Sequence, residues 1–515
     1  MPTRRGVLTG LAGAGAIGIC GTTISTARAA ESAGLHQQAK LAAHDVDPAD
    51  RFGDSVAVSD NGTTVLVGVS EDEDPNGERA GSAYVFERSN ETWRPQAKLT
   101  AEDGDTRDYF GDAVAVSSDG TTALVGAATD EDPNGERAGS AYVFERSNGE
   151  WHQRAKFIPD DGDGDDYFGV SVAVSGDGTT ALVGAQSDED PNGDYAGSAY
   201  VFRRANDEWS QQTKLTAEDG EPFAFFGISV AISSDGTTVL VGGPNGRNSN
   251  DDNGGATYVF DRSDEKWNQR AKLTAGDGNL GDSFGDAVAV SGDGTTAIVG
   301  GRGDENPSGT ESGSVYAFER SSDEWSQRTK FTAEDGDSPD FFGNAVAVSS
   351  DGTTALVGAI GDDDPNGENA GSVYAFRRSN DEWSQQTKLT AEDGDANDSF
   401  GDAVAVSSDG TTALVGAIGD ENPNGEEAGS AYVFESGLSS PGTPAVTGET
   451  PATDPNDDGR YEDVNGDGAF DIADVSALFR NYRSEAVQNR PERFDFNGDE
   501  TSDIVDVIAL LARLL

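Results

Sequence analysis

Cysteine is all but missing: the 515 residues hold one, Cys20. A single thiol closes no disulfide within the chain, so core packing and hydrogen bonds must hold the fold. Three histidines, His36, His44 and His152, form no arrangement with a nucleophile. Basic residues are scarce as well, 35 against 94 acidic ones, for a formal net charge of −59. A chain so acidic offers no basic face to nucleic acid and none to an anionic membrane. Beyond the first residues no apolar run reaches about 18 positions, so no transmembrane helix is expected. Apolar residues make up only 35%. With this charge that composition would suggest disorder, but regularly spaced aromatics argue for a core. The length allows roughly two to four domains, and the acid surplus suits a protein kept hydrated in high salt.

The N-terminus reads as an address. Arg4 and Arg5 precede a small, apolar, uncharged stretch over residues 7–24, and Ala27-Arg28-Ala29 offers a cleavage site. Residues 1–29 resemble a twin-arginine export signal, which implies a folded, exported protein. Cleavage after Ala29 removes Cys20; lipid attachment at Cys20 is the rival, disfavoured by Ile19 where a small residue is wanted.

What the chain has in quantity is repetition. Phe-Gly pairs begin at Phe52, Phe110, Phe168, Phe226, Phe284, Phe342 and Phe400, each step 58 residues. Six tryptophans, from Trp93 to Trp383, keep the same step, and so do seven of the eight lysines, from Lys40 to Lys388. Within the second repeat, residues 112–117, 122–127, 140–146 and 151–157 each alternate as strands do, with Asp119-Gly120 and Asn148-Gly149 as tight turns. Tandem four-stranded units predict an all-β, seven-bladed β-propeller of 58-residue blades over residues 30–435. The seventh repeat lacks its fourth strand, and residues 35–41 (LHQQAKL) match that strand, so the N-terminal segment is expected to close the last blade.

The pattern FGDSVAVS…DGTTVLVG…GSAYVF…W…AKL resembles the FG-GAP repeat of integrin α-subunits and many exported microbial proteins. Integrin-type repeats carry a calcium loop between the first two strands; here a short Ser-Asp-Gly-Thr turn stands there, so that metal site is not carried over. A second loop, between the second and third strands, recurs as Asp72-x-Asp74-x-Asn76, Asp130-x-Asp132-x-Asn134, Asp188-x-Asp190-x-Asn192 and Asp362-x-Asp364-x-Asn366, each followed by Gly. Alternating oxygen donors before a glycine suit calcium, but no acid follows at the ninth or twelfth place and Pro-Asn-Gly alone signals a turn. Solvated turn and weak calcium loop both stay open, the turn weighing more. Weaker versions begin at Asp304 and Asp420. The fourth repeat breaks the pattern over residues 243–253, after an unusual Phe223-Ala224-Phe225-Phe226. Drift explains this more simply than an asymmetric function beside that blade. The tryptophans read as fillers between sheets rather than a sugar-stacking set, and the lysines as surface partners of acidic loops, each pair of little worth. Sequons at Asn61, Asn90 and Asn397 offer glycan attachment.

After Glu435 the composition shifts. Residues 436–453 are rich in Ser, Thr, Pro and Gly and read as a linker. Two calcium-loop patterns follow: Asp463, Asn465, Asp467, Asp471 and Asp474, then Asp495, Asn497, Asp499, Asp503 and Asp506. These supply oxygen at positions 1, 3, 5, 9 and 12, with the carbonyls of Ala469 and Thr501 available at position 7. Glu500 stands where the second loop's turn wants glycine. Each loop runs into a short amphipathic helix, with Val475, Leu478, Phe479 and Tyr482 on one face and Val507, Leu510, Leu511 and Leu514 on the other. Duplicated loop-plus-helix units after a linker resemble a dockerin module over residues 454–515. The resemblance implies a small α-helical domain that folds on two calcium ions and binds a cohesin-domain protein. By the family's pattern Ile472, Ala473, Ile504 and Val505 would face the cohesin; a calcium-stapled module without a partner is the plainer alternative.

A secreted or surface-held, non-catalytic binding or adhesion protein is therefore expected, monomeric outside its assembly. Its propeller would present loops to a protein or glycan, with no nucleic acid among its partners. The alternative is a polysaccharide-acting enzyme brought to a complex by the same tail. Near-identical blades leave little room for the asymmetric group of residues catalysis needs.

Overall fold

The computed structural model describes residues 34–436, apart from 74–75, 90–91, 132–133, 190, 249–252, 307, 364–365, 381 and 423. The proposed signal, the linker and the dockerin-like loops lie outside the described residues. So do Asp74, Asp132, Asp190 and Asp364, and the sequon at Asn90.

Each repeat folds into the expected sheet. The first blade is Val56–Val58, Thr64–Val69, Ser82–Ser89 and Thr92–Leu99, hydrogen-bonded in that order and antiparallel throughout. Its second strand is buried along its whole length, and alternation divides its side chains between two interfaces. Val65, Val67 and Val69 enter the cluster shared with the seventh blade, and Leu66 enters the one shared with the second. This explains why the second strands are nearly continuous apolar runs: neither face meets water. Seven such clusters alternate with seven sheets around the ring. The six tryptophans pack against these clusters; Trp209, for example, lies edge-on to Phe157 of the preceding blade at 5.3 Å.

In five blades the inner strand is shorter than its sequence pattern predicts, Val114–Val116 in the second, whereas in the third and seventh it begins at the Phe itself, Phe168–Val174 and Phe400–Val406. In the second blade a Phe-Gly arch leads into it. The Phe110 N–H donates to the carbonyl of Ala80 in the preceding blade (2.9 Å), and the Gly111 N–H donates to Gly126 (2.9 Å). The Phe110 ring is buried against Tyr142 and Phe144. The carbonyl of Gly111 lies so close to Gly68 that a Cβ there would collide with it. The same pairing recurs between Gly126 and Gly169 and, across the closing junction, between Gly416 and Gly53.

Closure follows the expectation from the chain ends. Leu35–Leu41 pairs antiparallel with Ser430–Ser436, Lys40 standing opposite Tyr432. At the hairpin end main-chain bonds join neighbouring blades at six junctions. Asp60 donates to Ser118 (3.1 Å), Ser118 to Gly176 (3.0 Å) and Gly176 to Ser234 (2.9 Å). Beyond them Ser234 donates to Gly292 (3.0 Å), Gly292 to Ser350 (3.0 Å), and Ser408 back to Asp60 (3.2 Å). Arginines add ties between third strands, as Arg204 to Glu145 (2.7 Å) and, over the closing junction, Arg88 to Glu435 (2.8 Å).

The glycine contact is testable. Gly68→Ala should destabilise by about 3 kcal/mol or more, because backbone rather than a side chain must give way. Gly149→Ala, at an open hairpin where nothing lies within 4 Å, should cost only about 1 kcal/mol, for its positive φ of 86°. Denaturant unfolding of the two variants separates them.

Candidate binding face of the propeller

Antiparallel order puts two kinds of loop at one end of every blade: the loop joining second and third strands, and the loop that leads into the next Phe-Gly. The tight hairpins occupy the other end. There Asp119 accepts from Ser117 Oγ, Thr121 N and Thr121 Oγ1 at 2.7–2.9 Å, so the carboxylate that replaces an integrin-type loop caps its own turn.

On the loop end six of the seven blades carry the same polar node. Lys156, from the outer strand Glu150–Phe157, pairs with Asp130 at 2.9 Å and with Asp103 of the entering loop at 2.7 Å. Tyr142 donates its hydroxyl to Asp130 (2.7 Å), and the ammonium lies 5.2 Å from the Tyr142 ring centre. Lys98 repeats the arrangement with Asp72, Lys214 with Asp188, Lys388 with Asp362, Lys330 with Asp304 and Lys40 with Asp420, all at 2.6–2.8 Å. The expectation of surface pairs of little worth is corrected here. Asp130 keeps 4% of its side chain exposed and Lys156 14%, so each ion depends on the other. Burial alone would lower the pKa of the Lys156 ammonium, but the hydrogen bonds it donates to Asp103 and Asp130, with their charges, outweigh burial and raise it.

The four aspartates at the first place of the candidate loops, Asp72, Asp130, Asp188 and Asp362, are therefore ion-pair partners facing inward. The amides of Asn76, Asn134, Asn192 and Asn366 donate to the carbonyls of Ala101, Pro159, Ala217 and Ala391 (2.9–3.3 Å), tying the loop to its neighbour. The loop therefore has a structural use for its first and fifth residues. Among the described residues no group of three or more His, Cys, Asp or Glu side chains is arranged to hold a metal.

Two further features escaped the sequence reading. Beside each node a carboxylate accepts from the main chain three residues before it, as Asp108 from Asp105 N (2.6 Å) and Asp166 from Asp163 N (2.7 Å). Burial, reinforced by Asp130 and Asp188, pushes Asp108 to about 6 and Asp166 to about 7, against 3.8 for a free carboxyl. Nearer the axis, the residue after each Phe-Gly forms a ring: Asp54, Asp112, Val170, Ile228, Asp286, Asn344 and Asp402. Asp286 pairs with Arg302 at 2.6 Å. Burial, helped by the Asp54 charge, lifts Asp112 to about 7 and Asp402 to about 6. A carboxylate recurring at 58-residue steps after Phe-Gly was the signal available.

The fourth blade departs from the others. Gly246 stands where its neighbours carry the buried aspartate, and Lys272 pairs with Asp219 (2.6 Å), itself half-exposed. The loop backbone persists nonetheless: Gly255 N donates to Gly246 O (2.9 Å), as Gly81 N does to Asp72 O (2.8 Å). Beside this blade Tyr195 and Phe223 are 44% and 53% exposed and stack at 5.6 Å.

This contrast between blades sets an expectation. Lys156→Met strands a buried carboxylate and should cost about 2–4 kcal/mol. Lys272→Met removes a solvent-screened pair and should cost about 1 kcal/mol or less; equal losses would refute the node.

Acid dependence follows too. Asp50, Asp108 and Asp166 hold protons in the fold that the unfolded chain has released, so stability falls as pH rises from about 4 to about 7. For Asp103 and Asp161, burial alone would raise the pKa, but their lysines hold it below 3.8. Their contribution is present above that value and lost as pH falls further. Calorimetry at fixed salt should find the unfolding temperature highest near about pH 4 and declining toward about pH 7.

The FG-GAP repeat model matches residues 35–86, 93–144, 151–202, 209–260, 267–318, 325–376 and 383–434, and the Dockerin type I domain model matches 461–515. No curated protein matches the chain. Type I dockerins bind calcium and engage cohesin-bearing partners, which marks an extracellular or cell-surface protein. No helix among the described residues is long and apolar enough to cross a membrane. With seven matched repeats covering most of its length, each ending on the third strand of a blade, the chain belongs to the FG-GAP repeat family.

Proposed function

We propose that the protein is a non-catalytic binding component, exported by the twin-arginine route and attached through its C-terminal tail in a calcium-dependent way. The observation that carries this is the dockerin match at 461–515 behind a propeller whose repeated polar groups are already paired with one another. A catalytic group would need unpaired, asymmetric residues, and the three histidines stand singly and exposed, on the outer-strand edge or a loop.

The tail's donor set fits calcium. Asp463, Asn465, Asp467, Asp471 and Asp474, and Asp495, Asn497, Asp499, Asp503 and Asp506, offer hard oxygens at the spacing such loops use. Two bound ions would cancel the repulsion within each cluster and supply folding energy. Ile472, Ala473, Ile504 and Val505 would then form an apolar contact for a cohesin. The propeller remains free to present its loop end to an adhesion ligand.

The test is capture from the source's own secreted and surface fraction, in high salt. The baits are the mature chain and a version ending at Thr453, each with and without a chelator. A cohesin-bearing protein, identified by mass spectrometry, should bind the mature chain alone and be lost on chelation. Capture that survives both truncation and chelation would place attachment elsewhere and sink the dockerin reading.

A further inference from the structure

The large apolar side chains exposed among the described residues are Tyr195, Phe223 and Leu280, and all three border the fourth blade on its loop end. Tyr195 and Phe223 come from loops 28 residues apart in the chain. They stack at 5.6 Å with planes 21° apart, and Phe225 adds a third ring 6.1 Å from Tyr195. The pair is held from below: Phe223 N donates to Asp194 O (2.9 Å), and Phe225 N to Tyr195 O (3.1 Å). All three residues have positive φ, 56°, 65° and 52°. Such a backbone favours Asn or Gly over an aromatic. The same angles recur in other blades, filled in some by Asn or Gly (Asn397, φ 69°; Gly281, φ 89°; Asn369, φ 53°) and in others by charged residues (Arg107, φ 73°; Arg137, φ 55°; Glu311, φ 56°). What sets this junction apart is therefore the side chains: aromatics occupy both positions at once, and both rings remain in contact with water.

We infer that the Tyr195–Phe223 platform beside the fourth blade is a glycan subsite that takes a neutral pyranose. The inference rests on the reading of the propeller as the recognition module and names the ligand of its loop end. A flat ring open to solvent calls for a ligand with one apolar C–H face. The surroundings decide the rest. Arg247 and Glu221, paired at 2.6 Å and each about half-exposed, lie on the fourth blade's loops, Glu221 two residues before Phe223, and Asp194 adjoins Tyr195. Arg247 and Glu221 cancel each other's charge, so the pair itself draws no ionic ligand. A chain of net charge −59 opposes an anionic one. Apolar side chains of a peptide would dehydrate the Arg247–Glu221 pair and return it no hydrogen bonds. A neutral sugar lays its C–H face on the rings and turns its hydroxyls to that donor–acceptor pair. Because the rings are anchored before any ligand arrives, little ordering remains to be done on binding.

The experiment is titration calorimetry of the full mature chain in high salt with neutral oligosaccharides of glucose, mannose and galactose, in α and β linkage. Chitosan and galacturonate oligomers serve as the charged probes. The variant is Tyr195→Asn with Phe223→Asn, a residue that other blades place at these backbone angles, so its unfolding temperature should hold or rise. At least one neutral oligosaccharide should bind the parent, and the variant should bind it about tenfold more weakly or worse. The inference is overturned by silence from every neutral sugar, by affinity unchanged in the variant, or by binding confined to a charged probe. Silence here with a partner retained on the chain ending at Thr453 would reject the glycan subsite and leave the propeller a recognition module.

Discussion

The whole ring depends on how closely one sheet can approach the next near the axis. At each junction the carbonyl of a Phe-Gly glycine rests against the glycine of the preceding blade's second strand, as Gly111 does on Gly68 and Gly53 on Gly416. With no Cβ on either side, the backbones set the inner spacing. Farther out the gap widens, and larger groups fill it: paired valines, then the Phe, Tyr and Trp rings. A wedge that grows from glycine to tryptophan turns a stack of sheets into a closed circle. A change in the number of residues per repeat would shift that gradient along the strand, which accounts for seven repeats without an insertion. Closing the circle takes no special device: the strand Leu35–Leu41, the glycine contact and the hairpin-end bond repeat at the last junction what other junctions already do.

Electrostatics then divides the acids into two populations. Most sit on the surface, where salt screens them and hydration keeps the molecule soluble. A minority is buried, and six of the seven blades spend their in-frame lysine on it, which is why lysine is both scarce and periodic. The node is a way to bury a carboxylate without losing its charge: Lys156 supplies the opposite sign, Tyr142 a hydroxyl, and Asp103 a second bond to the ammonium. Its carboxylates link two loops of one blade to the outer strand, so the loop end is braced where any ligand would press on it. The fourth blade does without the buried member, and there the brace is reduced to Lys272 and Asp219.

The fold was legible because every inward-facing position recurs. Alternation in residues 122–127, the hairpin dipeptides and the displaced lysine at Lys40 determine strand identity and closure from local pattern alone. Partners far apart in the chain were not legible. Asp72 has the look of a metal ligand when read with Asp74 and Asn76, yet the group that satisfies it is Lys98 on the outer strand, with Asp45 beyond it on an entering loop. The acids after Phe-Gly were read as the first residues of a strand, since burial at an axis is a property of seven chains of contact and not of one. Phe223 stood out by composition, while Tyr195 did not; only the junction of two blades brings their rings together.

Near-perfect repetition also constrains where recognition can arise. A ligand that met seven equal sites would be bound through weak, equivalent contacts, whereas a single asymmetric ligand needs one blade to differ. Drift in a repeat array erodes positions that carry packing only slightly, because packing selects against it, and falls mainly on exposed loops. Random change on those loops, in so acidic a chain, would be expected to deposit polar residues. The junction of the third and fourth blades shows the reverse: two exposed rings, stacked on each other, where the other blades carry polar or small residues. Loss of the buried aspartate at Gly246 on the same blade is then intelligible as release of the loop from its structural duty. The departure is concerted across two loops, and concerted departure separates a site from drift.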